Sequence, residues 1–391
     1  MAFKIRHLYY ITHIDNLPSI LKNGILSHKQ VEERQISYTP IYDKEIIENR
    51  RNRIIPDGSG RNLWDFANVY FQPRNPMLFR VVCEKSDNDI VVIAIKLDIL
   101  NRNDIFISSG NAASSATEIL PAKEGKKTLY KLTEVLDKKW WTEESGDKRK
   151  IMAECLVPDM ISPEYIHTIY VANHNIANKI KEFLSSFPIS VVPQPNMFFK
   201  PSREIEITPL LYVTDGDMFF SRMQTLTISV NCVGVMGKGL ASRAKWQFPD
   251  VYVQYQYVCR NRPLQLQMGK PYLYKRESSL DYQLADEPST LKNGNGATWF
   301  LLFPTKQHFK EDADIKGIEK GLNWIVDNYK KEAIKSLALP ALGCGLGNLK
   351  WQDIGPLMCK YLKNLDISVR IYLPAEEKMS EEYLTKKFLI G

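Results

Sequence analysis

Cysteine and histidine are scarce, six of each in 391 residues, and neither type gathers. The cysteines stand at 83, 155, 232, 259, 344 and 359 with no Cys-x-x-Cys pair. That argues against a zinc site, or any metal site, and for free thiols in a reducing cytosol. No apolar run approaches the ~20 residues needed to cross a bilayer, so a membrane is not an expected partner. The opening residues Met1-Ala2-Phe3-Lys4-Ile5-Arg6 lack the apolar core of a secretory leader. Internal repeats and low-complexity tracts are missing as well, which sets solenoids and disordered linkers aside. Charge is nearly balanced: 52 Lys and Arg against 45 Asp and Glu leave +7. This permits a nucleic-acid partner, but any polynucleotide site has to come from local clustering.

What remains is the composition of an ordinary globular protein, 44% hydrophobic and 25% charged, long enough for two domains. In the first half, Leu8 to Ile11 reads as a strand and Asn16 to Gly24 as a short helix closed by glycine. A polar, Arg-rich segment runs from Glu45 to Arg61. Val69 to Phe71, Leu78 to Cys83 and Val91 to Leu97 read as strands by their β-branched and aromatic content. Residues 101–150 carry few apolar repeats and read as a long functional loop with helical pieces. Strands return near Ala153 to Val157 and Ile166 to Val171, followed by a helix from Asn175 to Leu184 and a strand from Ile189 to Val192. Proline and polar residues cluster between Pro193 and Arg203. Beyond that joint, strands (210–214, 226–232, 299–303, 335–340, 367–373) alternate with helices (238–247, 315–331, 351–364), a doubly wound α/β pattern. The stretch 260–297 is loop-rich. The expected division is a first domain over 1–200, α+β in class, a linker at 201–208 and an α/β domain over 209–391.

Two glycine loops carry the second domain's chemistry. One is Gly343-Cys344-Gly345-Leu346-Gly347, delivered by the apolar Leu339-Pro340-Ala341-Leu342. The other is Asn231-Cys232-Val233-Gly234-Val235-Met236-Gly237-Lys238-Gly239-Leu240, after the apolar run Leu226 to Val230. Glycines let backbone N–H groups converge on an anion, and a following helix turns its positive end toward it. A single loop of this kind is equally well a plain strand–helix turn; two suggest a clamp on a diphosphate. With Asp217 just after the first strand, residues 209–391 resemble a macrodomain, the ADP-ribose-binding fold, in its DarG-like and terminal-ADP-ribose glycohydrolase branch. The resemblance implies that Asp217 meets the adenine amino group, though a turn-capping carboxylate is the plainer use. It implies that Asn231 sits by the distal ribose, and that Val235, Gly237, Gly239 and Leu240 hold the diphosphate together with the run from Gly343 to Gly347. It also implies that Lys306, after the strand at 299–303, attacks or polarises the anomeric carbon. Gly347 departs from the eukaryotic glycohydrolase, which has an aspartate there.

The first domain resembles the DarT family, toxins that ADP-ribosylate bases in single-stranded DNA. The matching blocks are Thr12 to Ile25, Arg50-Arg51-Asn52-Arg53 with Val69 to Phe79, Ser109 to Ala113, and Ala153 to Val157. The resemblance implies an NAD cleft contacted by His13, Gly24 and Ile25. Breaking the nicotinamide bond builds positive charge on the ribose, and a carboxylate beside it stabilises that charge. Glu154, among apolar neighbours on a strand, is either paired or functional. Arg51 best matches the family's essential arginine, with Arg50 and Arg53 as alternatives. Tyr70 and Phe71 either wall the nicotinamide pocket or belong to the core. The implied acceptor is single-stranded DNA, with thymine the commonest base. Arg53, Arg74, Lys126, Lys127, Trp140 and Trp141 are candidates to hold it, since an unpaired strand takes cations and stacking faces; the tryptophans equally suit packing onto their own domain. The two resemblances imply a toxin and its antidote in one cytoplasmic polypeptide, with NAD as substrate, ADP-ribose as product and an intramolecular toxin–antitoxin contact. The rival reading is an ADP-ribose-sensing macrodomain joined to a transferase that modifies protein or RNA.

Overall fold

The computed structural model of the chain describes residues 5–42, 44–184, 187–286, 291, 296–374 and 379–391. Met1 to Lys4 and part of the loop-rich stretch 260–297 lie outside them. The chain divides into two compact units, residues 1–198 with 281–294, and residues 199–280 with 295–391.

The strands of the first unit, in chain order, are β1 (Leu8–His13), β2 (Ile25–Leu26), β3 (Phe66–Tyr70), β4 (Ile90–Ile95), β5 (Phe106–Ser108), β6 (Ile119–Pro121), β7 (Glu154–Pro158), β8 (Met160–Ile161), β9 (Ile166–Val171) and β10 (Ser190–Pro193). Among the described residues eight of them form one sheet in the order β10-β9-β4-β1-β3-β7-β5-β6, and β2 pairs with β8. All neighbours in the large sheet are antiparallel except β9 and β10. β4 is buried along its whole length, so its run of Ile, Val and Ala has no polar alternation. The register sets Tyr70 opposite Glu154 on β3 and β7.

Two segments differ from their sequence patterns. Leu78 to Cys83 is helical, inside a helix over Pro76–Glu84. The side chain of Asn75 accepts the N–H of Leu78 and Pro76 occupies the first turn, a start signal that outweighs β-branched content in a mostly buried run. Residues 101–150 are not a long loop. They hold β5, β6 and a helix over Ala122–Leu136 whose Leu129, Leu132 and Leu136 face the core. That helix lies so close to β5 that a Cβ on Gly125 would meet Ile107 Cβ at 2.5 Å.

The second unit contains β11 (Glu204–Thr208), β12 (Leu211–Thr214), β13 (Thr225–Asn231), β14 (Tyr272–Tyr274), β15 (Trp299–Lys306), β16 (Ser336–Pro340) and β17 (Ser368–Tyr372), in sheet order β11-β12-β17-β16-β13-β15-β14. The five central strands are parallel and both edge strands antiparallel. One face packs Leu301 and Phe303 with the helices over Ile315–Asn328 and Trp351–Leu362. On the other, Phe300 stacks on Phe248 at 5.2 Å and Phe248 on Phe219 at 5.4 Å. A helix over Pro249–Asn261 had no counterpart in the sequence reading. Its tyrosines and valines look strand-like, yet Val251, Tyr255 and Val258 are buried at helical spacing.

The segment Asp281–Asp286 belongs to the first unit although it comes from the later half of the chain. Asp286 accepts from Arg80 Nε at 2.7 Å, and Glu84 accepts from the same guanidinium at 3.1 Å. The Arg80 side chain is only 1% exposed. The indole of Trp141, also buried, donates to the carbonyl of Leu284 at 3.1 Å. A buried cation that loses one partner is left partly uncompensated, so Asp286→Ala is expected to destabilise the first unit by about 3 kcal/mol. The denaturant midpoint of its unfolding transition reads this out; an unchanged midpoint would contradict the buried pair.

Candidate active sites

In the first unit a cleft opens between the Leu17–Asn23 helix, the segment that follows it, and the sheet. Thr12, Gly24, Ile25, His28, Tyr42 and Asn68 are among its walls. Gly24 adopts a φ of 84°, and a Cβ there would fall 2.3 Å from the carbonyl oxygen of Ile161, so no other residue fits. Glu154 is fully buried and reaches the cleft through Asn68, whose amide donates to Oε2 at 2.8 Å. Arg50 donates to Oε2 at 3.0 Å and to Oε1 at 3.4 Å, and the backbone N–H of Ala112 donates to Oε1 at 2.9 Å. The N–H of Glu154 itself donates to Ser108 Oγ. A carboxylate fixed by donors from three separate segments is held in one orientation at the edge of the cavity.

The arginine paired with Glu154 is therefore Arg50. Arg51, one residue on, turns outward to Glu32 and stacks over Trp64 at 5.1 Å. Adjacent positions on the Lys44–Asn52 helix point about 100° apart, and residue type cannot say which one faces in. His13 caps the turn Ile14–Asn16, accepting from the Asp15 N–H beside the cleft-lining Thr12. Tyr70 and Phe71 are buried core residues. Burial, and then the neighbouring Glu154, push the Tyr70 hydroxyl far above its ordinary value.

Of the DNA candidates, Arg53 donates to the carbonyl of Thr117, and Arg74 to those of Asn196 and Lys139. Trp141 offers no stacking face, because its ring is 1% exposed. Trp140 is half-buried, and Lys126 and Lys127 lie on the Ala122–Leu136 helix.

The sequence reading missed His28, Tyr42, Asn68, Ala112 and Ser108. His28 stacks on Trp64 at 4.3 Å and shares a hydrogen bond with the Tyr42 hydroxyl at 2.9 Å. No motif marks it. Ala112 acts through its backbone, which residue identity does not announce.

In the second unit the candidate groups meet at the carboxyl ends of the parallel strands, where open α/β sheets bind ligands. Asn231 ends β13 directly opposite Lys306 at the end of β15. Asn231 Oδ1 accepts the N–H groups of Val233 and Val235 and the hydroxyl of Tyr255, so it shapes the first glycine loop. Gly239, at φ 59°, opens the Gly239–Gln247 helix, which continues through Leu240. A Cβ on Gly239 would meet Leu346 of the second loop at 3.3 Å, so the two loops lie side by side. Val235 and Leu346 are exposed there, and Gly237 stands two residues before the helix start, where a Cβ would meet Val235 at 3.9 Å. Lys306 Nζ donates to the carbonyls of Glu311 at 2.6 Å and Leu346 at 2.9 Å, tying β15 to that second loop. Gly343 and Gly345 take φ of 76° and 73°, and Cys344 between them is half-buried. At Gly347 a Cβ would lie 2.3 Å from the Gly343 carbonyl oxygen, so this loop has no room for a carboxylate side chain. Asp217 caps the turn Met218–Phe220 and also pairs with Arg243 at 2.8 Å, while Arg243 covers the ring of Phe219. Among the described residues no cluster of three metal-ligating side chains occurs.

A family model described as ssDNA thymidine ADP-ribosyltransferase, DarT, matches residues 9–199. Over 388 residues the chain is 55% identical to the DNA ADP-ribosyl transferase–DNA ADP-ribosyl glycohydrolase fusion protein of Thermosipho africanus, covering 99% of both. It superposes on Thermosipho africanus DarTG in complex with ADP-ribose with a TM-score of 0.93, over 99% of this chain and 100% of that one. Over 179 residues it is 31% identical to the DNA ADP-ribosyl glycohydrolase of Thermus aquaticus, 46% of this chain and 45% of that one.

Burial, then the charge of Arg50, lower the His28 imidazole from 6.5 to about 4. Between those values the unfolded chain binds the proton and the folded chain does not, so stability falls as pH drops through that window. His28→Gln is expected to flatten this dependence, measured as urea midpoints between pH 6.5 and 4. A slope unchanged from that of the unsubstituted chain would contradict the lowered imidazole.

Proposed function

The chain belongs to the family of fused DNA ADP-ribosyl transferase–DNA ADP-ribosyl glycohydrolase proteins, and from that membership we propose which of its own groups carry the two reactions. Its first unit writes, moving ADP-ribose from NAD to thymine in single-stranded DNA, and its second unit erases, hydrolysing that bond and binding ADP-ribose. The rival acceptors, protein and RNA, are set aside by this membership. No helix among the described residues is long and apolar enough to cross a membrane. We place the enzyme in the cytosol, where its six free cysteines stay reduced.

In the writer, Glu154 is the catalytic carboxylate. As the bond between nicotinamide and ribose breaks, its electron pair leaves with nicotinamide and the ribose becomes cationic. Glu154 stabilises that charge and accepts from a ribose hydroxyl. Its oxygens already hold four donated bonds, two of them from Arg50, so a hydroxyl enters by displacing one. Arg50 is best suited to swing, because it comes from a short helix while Asn68 and Ala112 are fixed by the sheet and its loop. The guanidinium then remains beside the carboxylate and the base. The base attacks the ribose carbon and releases its proton. Thr12, His28, Gly24 and Ile25 wall the NAD cleft, with His13 next to Thr12.

In the eraser, the glycine loops at Val235 to Leu240 and Gly343 to Gly347 take the diphosphate, Asp217 the adenine and Asn231 the distal ribose. Lys306 lies across from Asn231 with two of its hydrogens on the Glu311 and Leu346 carbonyls, leaving one position for the adduct. Water supplies the hydroxyl to the ribose carbon and the proton to the base. With no side chain at Gly347, the amine acts there without a second carboxylate from that loop.

The buried, four-fold bonded Glu154 carries this reading most directly. With NAD and a thymine-containing oligonucleotide, Glu154→Ala is expected to abolish nicotinamide release and the added mass on the DNA. Arg50→Ala lowers writing by about 100-fold or more, whereas Arg51→Ala stays within about threefold, as for other exposed pairs. A large loss from Arg51→Ala alone would overturn the arginine assignment. Separately, Lys306→Ala lets modified oligonucleotide accumulate, read by mass; unimpaired removal would dismiss Lys306 as the eraser's catalytic group.

A further inference from the structure

The helix over Pro249–Asn261 has two faces of different character. The inner face serves the eraser site: Tyr255 donates its hydroxyl to both the carbonyl and the side-chain oxygen of Asn231. Gln256 lies against Gly234 of the first glycine loop, where a Cβ would be 3.8 Å from its Cα. The outer face continues from that point without a break. Gln256 donates to the hydroxyl of Tyr252 at 2.9 Å. Lys245 lies over the rings of Tyr252 at 4.6 Å and Trp246 at 5.0 Å. Trp246 is 58% exposed, and Val253 and Tyr257, one helical turn apart, are also exposed. Arg262 covers the Tyr257 ring at 5.4 Å.

Cations prevail here: from residue 238 to 262, Arg243 is paired inward with Asp217 and Asp250 is bound to Arg276 at 2.7 Å, while Lys238, Lys245, Arg260 and Arg262 remain as the other charged residues. Exposed rings interleaved with cations would be a poor surface to leave in water and suit an unpaired strand, whose bases stack and whose phosphates need counter-charge. A phosphodiester chain matches the cations, which an apolar protein partner would not need.

We propose that the surface formed by this outer face and the end of the Gly239–Gln247 helix, centred on Lys245 and Trp246 and extending to Tyr257 and Arg262, seats the single-stranded DNA that flanks the ADP-ribosylated base in the eraser. The proposal rests on the eraser reading of the Asn231 and Lys306 site. It gives that site a second recognition element. The ADP-ribose moiety enters the glycine-loop clamp, and the nucleotides beside it stack on Trp246 while Lys245, pinned between two rings, meets their phosphates. DNA adducts are thereby bound more tightly than free ADP-ribose.

The test uses the full chain without NAD, so that writing is silent, and an oligonucleotide already carrying ADP-ribose on thymine. ADP-ribose release is followed against oligonucleotide concentration. Lys245→Ala with Trp246→Ala is expected to raise KM about tenfold and leave kcat within twofold, while calorimetric affinity for free ADP-ribose stays unchanged. Trp246→Phe, which keeps a stacking face, retains the wild-type KM. The KM of the double variant also loses much of its rise with salt. An unchanged KM overturns the proposal, as does a parallel loss of ADP-ribose affinity or an equal KM rise for ADP-ribosylated thymidine without flanking nucleotides. Should Trp246→Ala fail to fold, Lys245→Ala alone decides, by the same KM and salt readings. Absence of release by the wild-type chain would instead remove the eraser reading itself.

Discussion

The ion pair between Glu154 and Arg50 governs the first unit. A carboxylate with no exposure at all has its oxygens satisfied because Arg50, Asn68 and the Ala112 N–H each donate to it. Those donors come from a helix, a strand and a loop far apart in the chain, so the fold is organised around bringing them to one point. Asn68 sits two residues before Tyr70 on β3, and Tyr70 lies opposite Glu154 in the ladder. A slip of one residue in that register would turn Asn68 to the other face of the sheet. The loop at 109–117 is set in turn by Arg149, whose carbonyl accepts from Asn111 and whose guanidinium donates to Thr117.

The second unit solves a different problem, closing two glycine loops on a site at the strand ends. Parallel β13 and β15 bring Asn231 and Lys306 level, and Lys306 then holds the loop that follows β16 through the Leu346 carbonyl. The first loop is shaped from beneath by Asn231 and Tyr255. One polar side chain at each strand end thus fixes a loop beside the proposed ligand position. This explains why so few polar residues are needed there.

Much of the candidate site was legible because it resides in residue types at strand ends and in glycine-rich turns. Glu154, Asn231, Lys306 and both loops are visible as interruptions of apolar runs. Arg50 was not separable from Arg51, since one helical step decides which points inward and nothing in an Arg-Arg pair reveals the phase. Trp141 suited a stacking face and packing equally; it is buried, and its indole bonds to Leu284, 143 positions away. The Leu78 to Cys83 run is apolar apart from the buried Arg80, so its period carried no information and the cap at Asn75 was the telling residue. The open space that glycine preserves was also invisible. Gly347 read as a lost aspartate, whereas the loop cannot contain any side chain at that position.

The placement of Asp281–Asp286 has a consequence for how this protein is encoded. Arg80 and Trp141 are completed by residues that the ribosome adds some 140 to 200 positions later, within the sequence surrounding the eraser's strands. The writer is therefore not a prefix of the reading frame. A chain halted anywhere between residues 199 and 280 carries Glu154 and Arg50 but leaves a guanidinium buried beside a single carboxylate, Glu84, and an indole without its carbonyl. Premature termination inside the antidote thus also undermines the poison, which ties the inheritance of the two halves together more tightly than a peptide tether alone.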